Sequence, residues 1–433
     1  MQTSPVLVLL TSALAVGASP VPAQNAPPSA SLVVRVADLI ESKYFDEAKA
    51  ATMARELRAA AARGEFDAIA DPRELAAALS ARLGREDGHL RVGWIAPAGH
   101  LEMPQRAGRE RMPEEVRASR WNFGFRRVEI LPGNVGLIEL SEFADLDAAS
   151  DWDSAPRRVA DAALSVVERA DALIFDLRDN GGGGGMADYL LSYFLPPDVV
   201  FSEMHGRART HESRTLKRVG GRRRLNVPLY IVVSGRTGSA AEFFAYSLQA
   251  MRRATIVGER TAGAANPGMS FDLGDGFEVF VPLDTPVNRQ TGSNWEGVGV
   301  QPDVPVDVER SLVRAHTVAL EHVLRRDLPL TQARDARWAL AALTSRKATR
   351  ANPLNDFPGT NGTRAVRIES GRLVIQRERW PARILTPLEP DLFFVEGAPW
   401  RRVAFERDAD GRVIALIELT SDGNEARWRK QAP

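Results

Sequence analysis

The clearest indication of the fold is the segment from Pro228 to Glu259, which reads PLYIVVSGRTGSAAEFFAYSLQAMRRATIVGE. It opens with an apolar run, Pro228 to Val233, of the length of a buried strand. A Gly- and Ser-rich turn follows, and an apolar helix is predicted from Ser239 to about Met251. The first residue of such a helix lies beside free backbone N–H groups at the edge of a parallel sheet. Ser239 is therefore a candidate nucleophile, and a simple N-cap is the alternative.

Around this stretch, residues 119–350 alternate between strand and helix patterns. The predicted strands are Val135 to Leu140, Ala172 to Leu177, Pro228 to Val233, Thr255 to Val257 and Phe277 to Val281. The predicted helices are Ala155 to Arg169, Met186 to Phe194 and Ser239 to Met251, with two trailing helices around Glu309 to Arg326 and Thr331 to Thr349. This alternation predicts an α/β core with a mixed central sheet and crossover helices.

Two flanking regions have different patterns. Residues 31–118 are predicted to form an N-terminal helical domain of three helices, with Asp71 as an N-cap before Pro72. Its apolar faces are Val33, Val36, Ala37 and Ile40, and then Leu75, Leu79 and Leu83. Residues 355–433 contain short strand-like runs separated by Gly, Asp and Asn turns, which predicts a small antiparallel β domain, a barrel or a sandwich. We interpret that domain as accessory.

The amino terminus resembles a secretion signal. Val6 to Ala18 is a short apolar run, and Val21-Pro22-Ala23 provides small residues for cleavage after residue 23. Residues 2–5 contain no Lys or Arg, so only the terminal amine supplies positive charge. Residues 1–23 are therefore predicted to be a signal peptide, and the protein is predicted to be secreted or periplasmic. No later segment is apolar for long enough to span a membrane.

Composition narrows the possible functions of the 433-residue chain. Lys plus Arg and Asp plus Glu both number 56, so the net charge is zero, which argues against nucleic acid as the main partner. The chain contains no cysteine, which excludes disulfides, thiolate catalysis and Cys-based zinc sites.

A second Gly-rich segment follows the strand that ends at Leu177. Residues 176–185 read DLRDNGGGGG, and a Gly run lets backbone N–H groups approach a ligand closely. A nucleotide site is one interpretation, but the Lys-Ser/Thr of a phosphate loop is absent. A flexible loop is another. An oxyanion or substrate-backbone site fits better beside Ser239, because both loops would lie at the same sheet edge.

A nucleophilic serine needs a base, and the chain has six histidines. His89 lies in REDGHLRV, where the helical domain ends and a strand begins, and a capping or packing role is its alternative. A metal site from His205, His211 and Glu212 is conceivable, but neither histidine has a clear ligand partner in the sequence.

Four motifs in this order resemble the C-terminal-processing peptidase superfamily, serine peptidases of family S41. They are Asp87-Gly88-His89, Asp176-Leu177-Arg178-Asp179-Asn180-Gly181-Gly182-Gly183, Thr237-Gly238-Ser239-Ala240-Ala241-Glu242 and Gly258-Glu259-Arg260-Thr261-Ala262-Gly263. The resemblance covers about 220 residues and implies a ClpP/crotonase-like core. One branch uses a lysine shortly after the last motif, and residues 261–266 contain none. The peptide-binding PDZ insert of that branch is also absent, because only about thirty residues separate His89 from Trp121.

The chain is more similar to the tricorn-core and interphotoreceptor retinoid-binding branch, in which a histidine is the base and a glutamate holds it. The segment NWEGVGVQPD, residues 294–303, matches the glutamate motif of that branch at Glu296. The resemblance implies that Ser239 attacks, His89 transfers the proton and Glu296 orients the imidazole. Tricorn-like sites carry a serine just before the histidine, and this chain has Gly88 there.

The oxyanion is predicted to bind the backbone N–H of Ala240 and that of Gly181 or Gly182. The implied reaction is hydrolysis of a protein or peptide substrate without a metal or an organic cofactor. Two alternatives remain: a non-catalytic module that binds an apolar ligand on the same fold, and an esterase. The C-terminal strands are similar to a small β domain appended to some secreted hydrolases, which carries no catalytic residues.

Overall fold

The computed structural model describes residues 29–96, 112–344 and 352–431. These residues form two compact units. The first contains residues 29–42, 48–96 and Ser270–Phe280, and the second contains the remaining described residues. The predicted signal peptide, residues 1–23, lies outside the described residues.

The helices of the described residues are α1 Ser29–Lys43, α2 Glu47–Ala62, α3 Pro72–Leu83, α4 Glu114–Arg120, α5 Ala155–Val166, α6 Met186–Phe194, α7 Ala240–Ala250, α8 Val308–Val323 and α9 Leu330–Thr344. The strands up to the end of the α/β core are β1 Arg91–Trp94, β2 Phe125–Leu131, β3 Val135–Leu140, β4 Ala172–Asp176, β5 Val200–Gly206, β6 Thr210–Arg214, β7 Leu229–Val233, β8 Thr255–Gly258, β9 Gly268–Gly274, β10 Phe277–Pro282, β11 Asp284–Asn288 and β12 Val304–Pro305. The C-terminal strands are β13 Gly359–Asn361, β14 Arg364–Glu369, β15 Arg372–Arg377, β16 Arg383–Glu389, β17 Leu392–Val395, β18 Ala398–Arg407, β19 Val413–Thr420 and β20 Glu425–Arg429.

The first unit contains the three predicted helices. Their predicted apolar faces are buried, and the Asp71 side chain caps α3 by accepting the N–H of Arg73 at 2.7 Å. The unit also contains a strand hairpin from much later in the chain, since β1 pairs antiparallel with β10 from Arg91↔Phe280 to Trp94↔Phe277. The sequence placed residues 270–280 in the α/β core, and no local signal indicated that they would join the helices.

The central sheet of the second unit has six strands in the order β12-β8-β7-β4-β3-β2. All neighbouring pairs are parallel except β2 with β3, which is antiparallel. The predicted mixed sheet is therefore confirmed. One face packs against α5, α6 and α7, and the other packs against α8 and α9. Both faces are covered, which explains why β4 and β7 are apolar at every position but the last of β4.

A small antiparallel sheet in the second unit has the order β11-β5-β6. The sequence analysis predicted none of its strands, because they carry polar residues such as His205 and His211 at most positions. Met204 pairs with His211 and with Pro286, so these three side chains share one face of the sheet.

The C-terminal strands form an eight-stranded antiparallel sheet in simple chain order, from β13 to β20. A bridge between Asn361 and Lys430 joins the first strand to the last, so the sheet closes into a barrel. Phe357, Phe393 and Phe405 lie at its core. The prediction of a small antiparallel β domain is confirmed.

In the part of the chain that the structure describes, every helix is too short or too polar to cross a bilayer.

Candidate active site

Three loops meet at the carboxyl edge of the central sheet, because β4, β7 and β8 are adjacent and parallel. Asp176, the last residue of β4, pairs with Val232, and Val233 pairs with Gly258. Three loops therefore begin at nearly the same height along the strands. They are the Gly-rich loop after β4, the Ser239 loop after β7 and the loop of residues 259–265 after β8. The expectation that the first two loops share one edge is confirmed.

Ser239 has a strained backbone at the tip of its loop. Its φ is 50° and its ψ is −121°, a conformation that a residue with a side chain rarely adopts. The residue is exposed and immediately precedes α7. Hydrogen bonds from the rest of the loop hold it in place: Gly238 N–H donates to the Asn180 carbonyl at 3.1 Å, and Thr237 Oγ1 donates to the Leu177 carbonyl at 2.8 Å.

Glu242 in the first turn of α7 is fully buried and ties two of the loops together. Its carboxylate accepts the backbone N–H of Ser239 at 3.0 Å, those of Gly263 and Ala264 at 2.7 and 2.8 Å, and the hydroxyl of Thr261. A buried carboxylate with this many donors is well compensated for its lost hydration. It holds the backbone of the candidate nucleophile against the loop after β8.

The Gly-rich loop approaches Ser239 most closely at Gly182. A Cβ atom at Gly182 would lie 2.7 Å from the Ser239 Cβ, so only glycine fits. The Gly182 N–H donates to Asn180 Oδ1 at 2.9 Å. In this conformation the Gly182 N–H, one of the two glycine donors that the sequence analysis predicts for the oxyanion, already has an acceptor.

Other N–H groups remain for an oxyanion. Phe143 N–H donates to the Gly182 carbonyl, and Gly184 N–H donates to the Phe143 carbonyl, so the N–H of the intervening Gly183 points away from Phe143. Among the described residues, the N–H groups of Gly181, Gly183 and Ala240 have no acceptor. Gly183 and Ala240 line a pocket together with Ser239, whereas Gly181 does not. The sequence analysis did not single out Gly183 within the run of five glycines.

Glu296 is held beside the loop that follows β8. Its Oε2 accepts the N–H of Ala265 at 2.8 Å, and its own N–H donates to Asn294 Oδ1 at 2.9 Å. The next residue, Gly297, donates its N–H to the Gly263 carbonyl at 2.9 Å. The same loop thus contacts the carboxylates of Glu242 and Glu296.

His89 lies in the first unit and has a defined imidazole partner there. Its Nδ1 lies 3.0 Å from Oδ1 of the buried Asp87, which also accepts the His89 backbone N–H at 2.8 Å. Because a carboxylate can only accept, this hydrogen bond assigns a proton to Nδ1, so that in the neutral imidazole the lone pair lies on Nε2. This tautomer suits a general base. The sequence analysis quoted Asp87 in a motif but gave it no role, although an Asp two residues before a His is a common local acceptor.

The pocket that contains Ser239 lies entirely in the second unit and has a volume of about 270 Å³. Its lining residues are Gly183, Gly184, Ala187, Asp188, Met204, His211, Ser213, Ser239, Ala240, Phe243, Ala265, Pro267, Pro286 and Trp295. His211 faces this pocket, whereas strand alternation puts Glu212 on the opposite face of the sheet together with His205. The conceivable metal set of His205, His211 and Glu212 is therefore split between two faces.

The three loops and Glu296 lie in one segment of the chain. Residues 134–306 match the model of peptidase family S41. The predicted resemblance to this family is thereby confirmed. The matching residues include Ser239, Glu242 and Glu296, and His89 precedes them.

Curated proteins are also similar to part of the chain. A carboxyl-terminal-processing protease of Synechocystis sp. is 33% identical over 181 residues, which are 41% of this chain and 39% of the relative. A carboxy-terminal-processing protease of Bartonella bacilliformis is 28% identical over 188 residues, 42% of this chain and 40% of the relative. The chain thus spans about two fifths of the length of these relatives.

Two solved structures are similar to the chain. The photosystem II D1 C-terminal processing protease has a TM-score of 0.43 and 16% identity, covering 66% of this chain and 94% of that one. The tricorn protease has a TM-score of 0.28 and 17% identity, covering 49% of this chain and 18% of that one.

Proposed function

We propose that this protein is an exported serine peptidase that cleaves peptide bonds through an acyl-enzyme on Ser239. The main support is the strained Ser239 at the start of α7, next to unused N–H groups, in a segment that matches family S41. Strain at a single exposed serine is typical of a functional position. Export is proposed from the pattern of residues 1–23.

The proposed chemistry has two steps. Ser239 Oγ attacks the substrate carbonyl while His89 Nε2 takes the hydroxyl proton, and the imidazolium then gives this proton to the leaving amine. Water repeats the sequence on the acyl-enzyme, releases the carboxylic acid and restores Ser239. The N–H groups of Ala240 and Gly183 are proposed to hold the oxyanion, and the loss of one such donor typically costs about 3 kcal/mol of transition-state stabilisation.

Two carboxylates are proposed to orient His89. Asp87 is proposed because of its hydrogen bond to Nδ1, and Glu296 because of its place in the matching family motif. Removal of the orienting carboxylate should lower kcat with little change in KM, because it favours the wrong imidazole tautomer. Asp87→Asn and Glu296→Gln, measured side by side, will show which carboxylate carries more of this role.

The experiment that tests the function is labelling with a serine-directed fluorophosphonate, followed by mass spectrometry of the adduct. We expect rapid modification of the wild type at Ser239 and none of Ser239→Ala. Ser213→Ala is the matched control, because Ser213 lines the same pocket and should leave labelling intact. A folded wild type that does not react would overturn the peptidase and favour a binding module. Cleavage of nitrophenyl esters but of no peptide would favour an esterase.

A further inference from the structure

Asp188 is a carboxylate without a partner in the pocket beside Ser239. It lies in the first turn of α6, and no other described residue pairs with it or donates a hydrogen bond to its side chain. The side chain keeps partial exposure to the pocket, but protein surrounds it closely. This burial raises the pKa of Asp188 to about 6. A carboxylate whose pKa is raised by burial and that lines a pocket is a candidate functional group.

The walls around Asp188 suit a long side chain. Met204, Pro267 and Pro286 are apolar, and Phe243 and Trp295 stand as neighbouring aromatic rings with centroids 6.1 Å apart. The volume of about 270 Å³ lies near the lower end of the roughly 300–1,000 Å³ of ligand clefts. The pocket is therefore small, with room for one long side chain.

The charge of the pocket selects among long side chains. A lysine or arginine side chain would pack its aliphatic stem on the apolar walls and place its cation at Asp188. Phe243 and Trp295 also line the pocket, and an aromatic ring attracts a cation that lies over its face. The other titratable residue among the described residues of the lining is His211, which is exposed. The lining elements α7, β5 and β11 contribute no charged side chain to it.

We propose that this pocket receives a lysine or arginine side chain next to the scissile bond, with Asp188 as the residue that determines this preference. The proposal rests on the proposed peptidase function. The pocket shares Ser239, Ala240 and Gly183 with the proposed oxyanion site. The side chain it receives therefore belongs to the residue whose carbonyl Ser239 attacks.

The test compares peptide substrates that differ only at this residue, with lysine in one and the isosteric norleucine in the other. We expect kcat/KM to favour lysine about 10- to 100-fold at pH 8, the range of a charged hydrogen bond in a desolvated site. The same catalytic groups act on both substrates, so their titration changes both kcat/KM values by the same factor and leaves the lysine-to-norleucine ratio unchanged. This ratio should fall as the pH drops through about 6, because Asp188 becomes protonated.

Two charge-removing variants separate a local contact from a general field. Asp188→Asn should bring the lysine-to-norleucine ratio close to 1 while norleucine cleavage continues. Glu212→Gln removes the same charge one residue from His211, on the opposite face of the sheet, and should keep the wild-type ratio. A wild-type ratio near 1, or an unchanged ratio in Asp188→Asn, would overturn the proposal.

A binding measurement keeps the proposal testable without catalysis. Ser239→Ala should bind benzamidine more tightly than the neutral benzamide in titration calorimetry, and Asp188→Asn in this background should remove the difference. No hydrolysis and no fluorophosphonate labelling, together with selective benzamidine binding, would overturn the peptidase and retain the cation pocket. Peptide hydrolysis without selective benzamidine binding would support the peptidase and overturn the cation pocket.

Discussion

The N-terminal turns of α7 and α6 each carry a carboxylate, Glu242 fully buried and Asp188 partly exposed, and their hydrogen-bonding surroundings are opposite. Glu242 in α7 accepts hydrogen bonds from three backbone N–H groups and a hydroxyl. Asp188 in α6 has no partner among the described residues beyond its own backbone. The difference indicates that Glu242 holds the loops of the site in place, whereas the Asp188 carboxylate is available to a ligand. Four measurements test whether the two carboxylates differ in this way.

The largest effect is expected from Glu242→Gln. The substitution places an amide NH₂ against backbone donors, so at least one buried N–H of the site loses its acceptor. We expect kcat/KM to fall about 100-fold or more, because the Ser239 loop shifts. The free energy of unfolding should fall by about 2–4 kcal/mol, measured by urea denaturation.

The control for Glu242→Gln is Asp179→Asn. Asp179 is exposed and pairs with Arg236 on the surface, so its loss should change stability by at most about 1 kcal/mol. Wild-type activity and stability in Glu242→Gln would contradict the structural role of this carboxylate.

A smaller effect is expected where the Gly-rich loop contacts the α7 loop. Gly182→Ala puts a Cβ 2.7 Å from that of Ser239 at a φ of 116°. We expect kcat/KM to fall about 100-fold through displacement of the serine and stability to fall by about 1–3 kcal/mol. A Cβ at Gly181 meets nothing within 4 Å. Gly181→Ala should therefore be milder in both assays, and equal losses in the two variants would refute the contact.

The third measurement tests how much the charge of Asp188 lowers the free energy of unfolding. The pKa of Asp188 is about 6 in the folded protein, against 3.8 for a free carboxyl, so the folded state binds more protons between these values. Stability therefore falls as the pH rises through this range. Asp188→Asn should raise the free energy of unfolding at pH 8 by about 1–3 kcal/mol, and the gain should vanish below about pH 4. A loss of stability at pH 8 would show that Asp188 has a structural partner.

The smallest effect is expected at a buried titratable group outside both helix termini. His316 in α8 donates its Nε2–H to the Pro132 carbonyl at 2.8 Å, and burial lowers its pKa. The unfolded chain takes up the proton first on acidification, so this group costs stability as the pH falls below about 6.5. The His316→Gln variant can keep the hydrogen bond but has no titrating imidazole. Its free energy of unfolding should therefore fall less steeply between pH 7 and 5 than that of the wild type. An identical slope in both proteins would contradict this cause.

Much of the α/β core could be predicted because its signals are local. The apolar runs of β3, β4, β7 and β8 were predicted to within one residue at each end, and α6 was predicted to the residue. The Asp71 cap and the helical faces follow from spacings of a few residues. The segment Ser-x-x-Glu at residues 239–242 is itself a capping signature, which could have indicated the role of Glu242.

Other features depended on distant residues and escaped prediction. The sheet of β5, β6 and β11 has few apolar residues, and its alternation becomes readable only when the three strands are paired. The hairpin of β9 and β10 joins the helical unit through pairing with β1, almost 190 residues earlier. The Gly182 N–H finds its acceptor, Asn180, within the same loop, whereas the direction of the Gly183 N–H depends on a bridge to Phe143 from an earlier part of the chain.

The sequence was enough to predict the main strands and helices of the α/β core, the candidate nucleophile at the start of α7 and the family motifs, because turns, caps and hydrophobic periods act over a few residues. The folded chain was needed to show that Glu242 accepts four hydrogen bonds and that Asp87 contacts the His89 imidazole. It was also needed to show that Asp188 has no partner among the described residues beyond its own backbone. A side chain's partners and its dielectric surroundings are set by whatever the rest of the chain packs against it, and no local pattern encodes that.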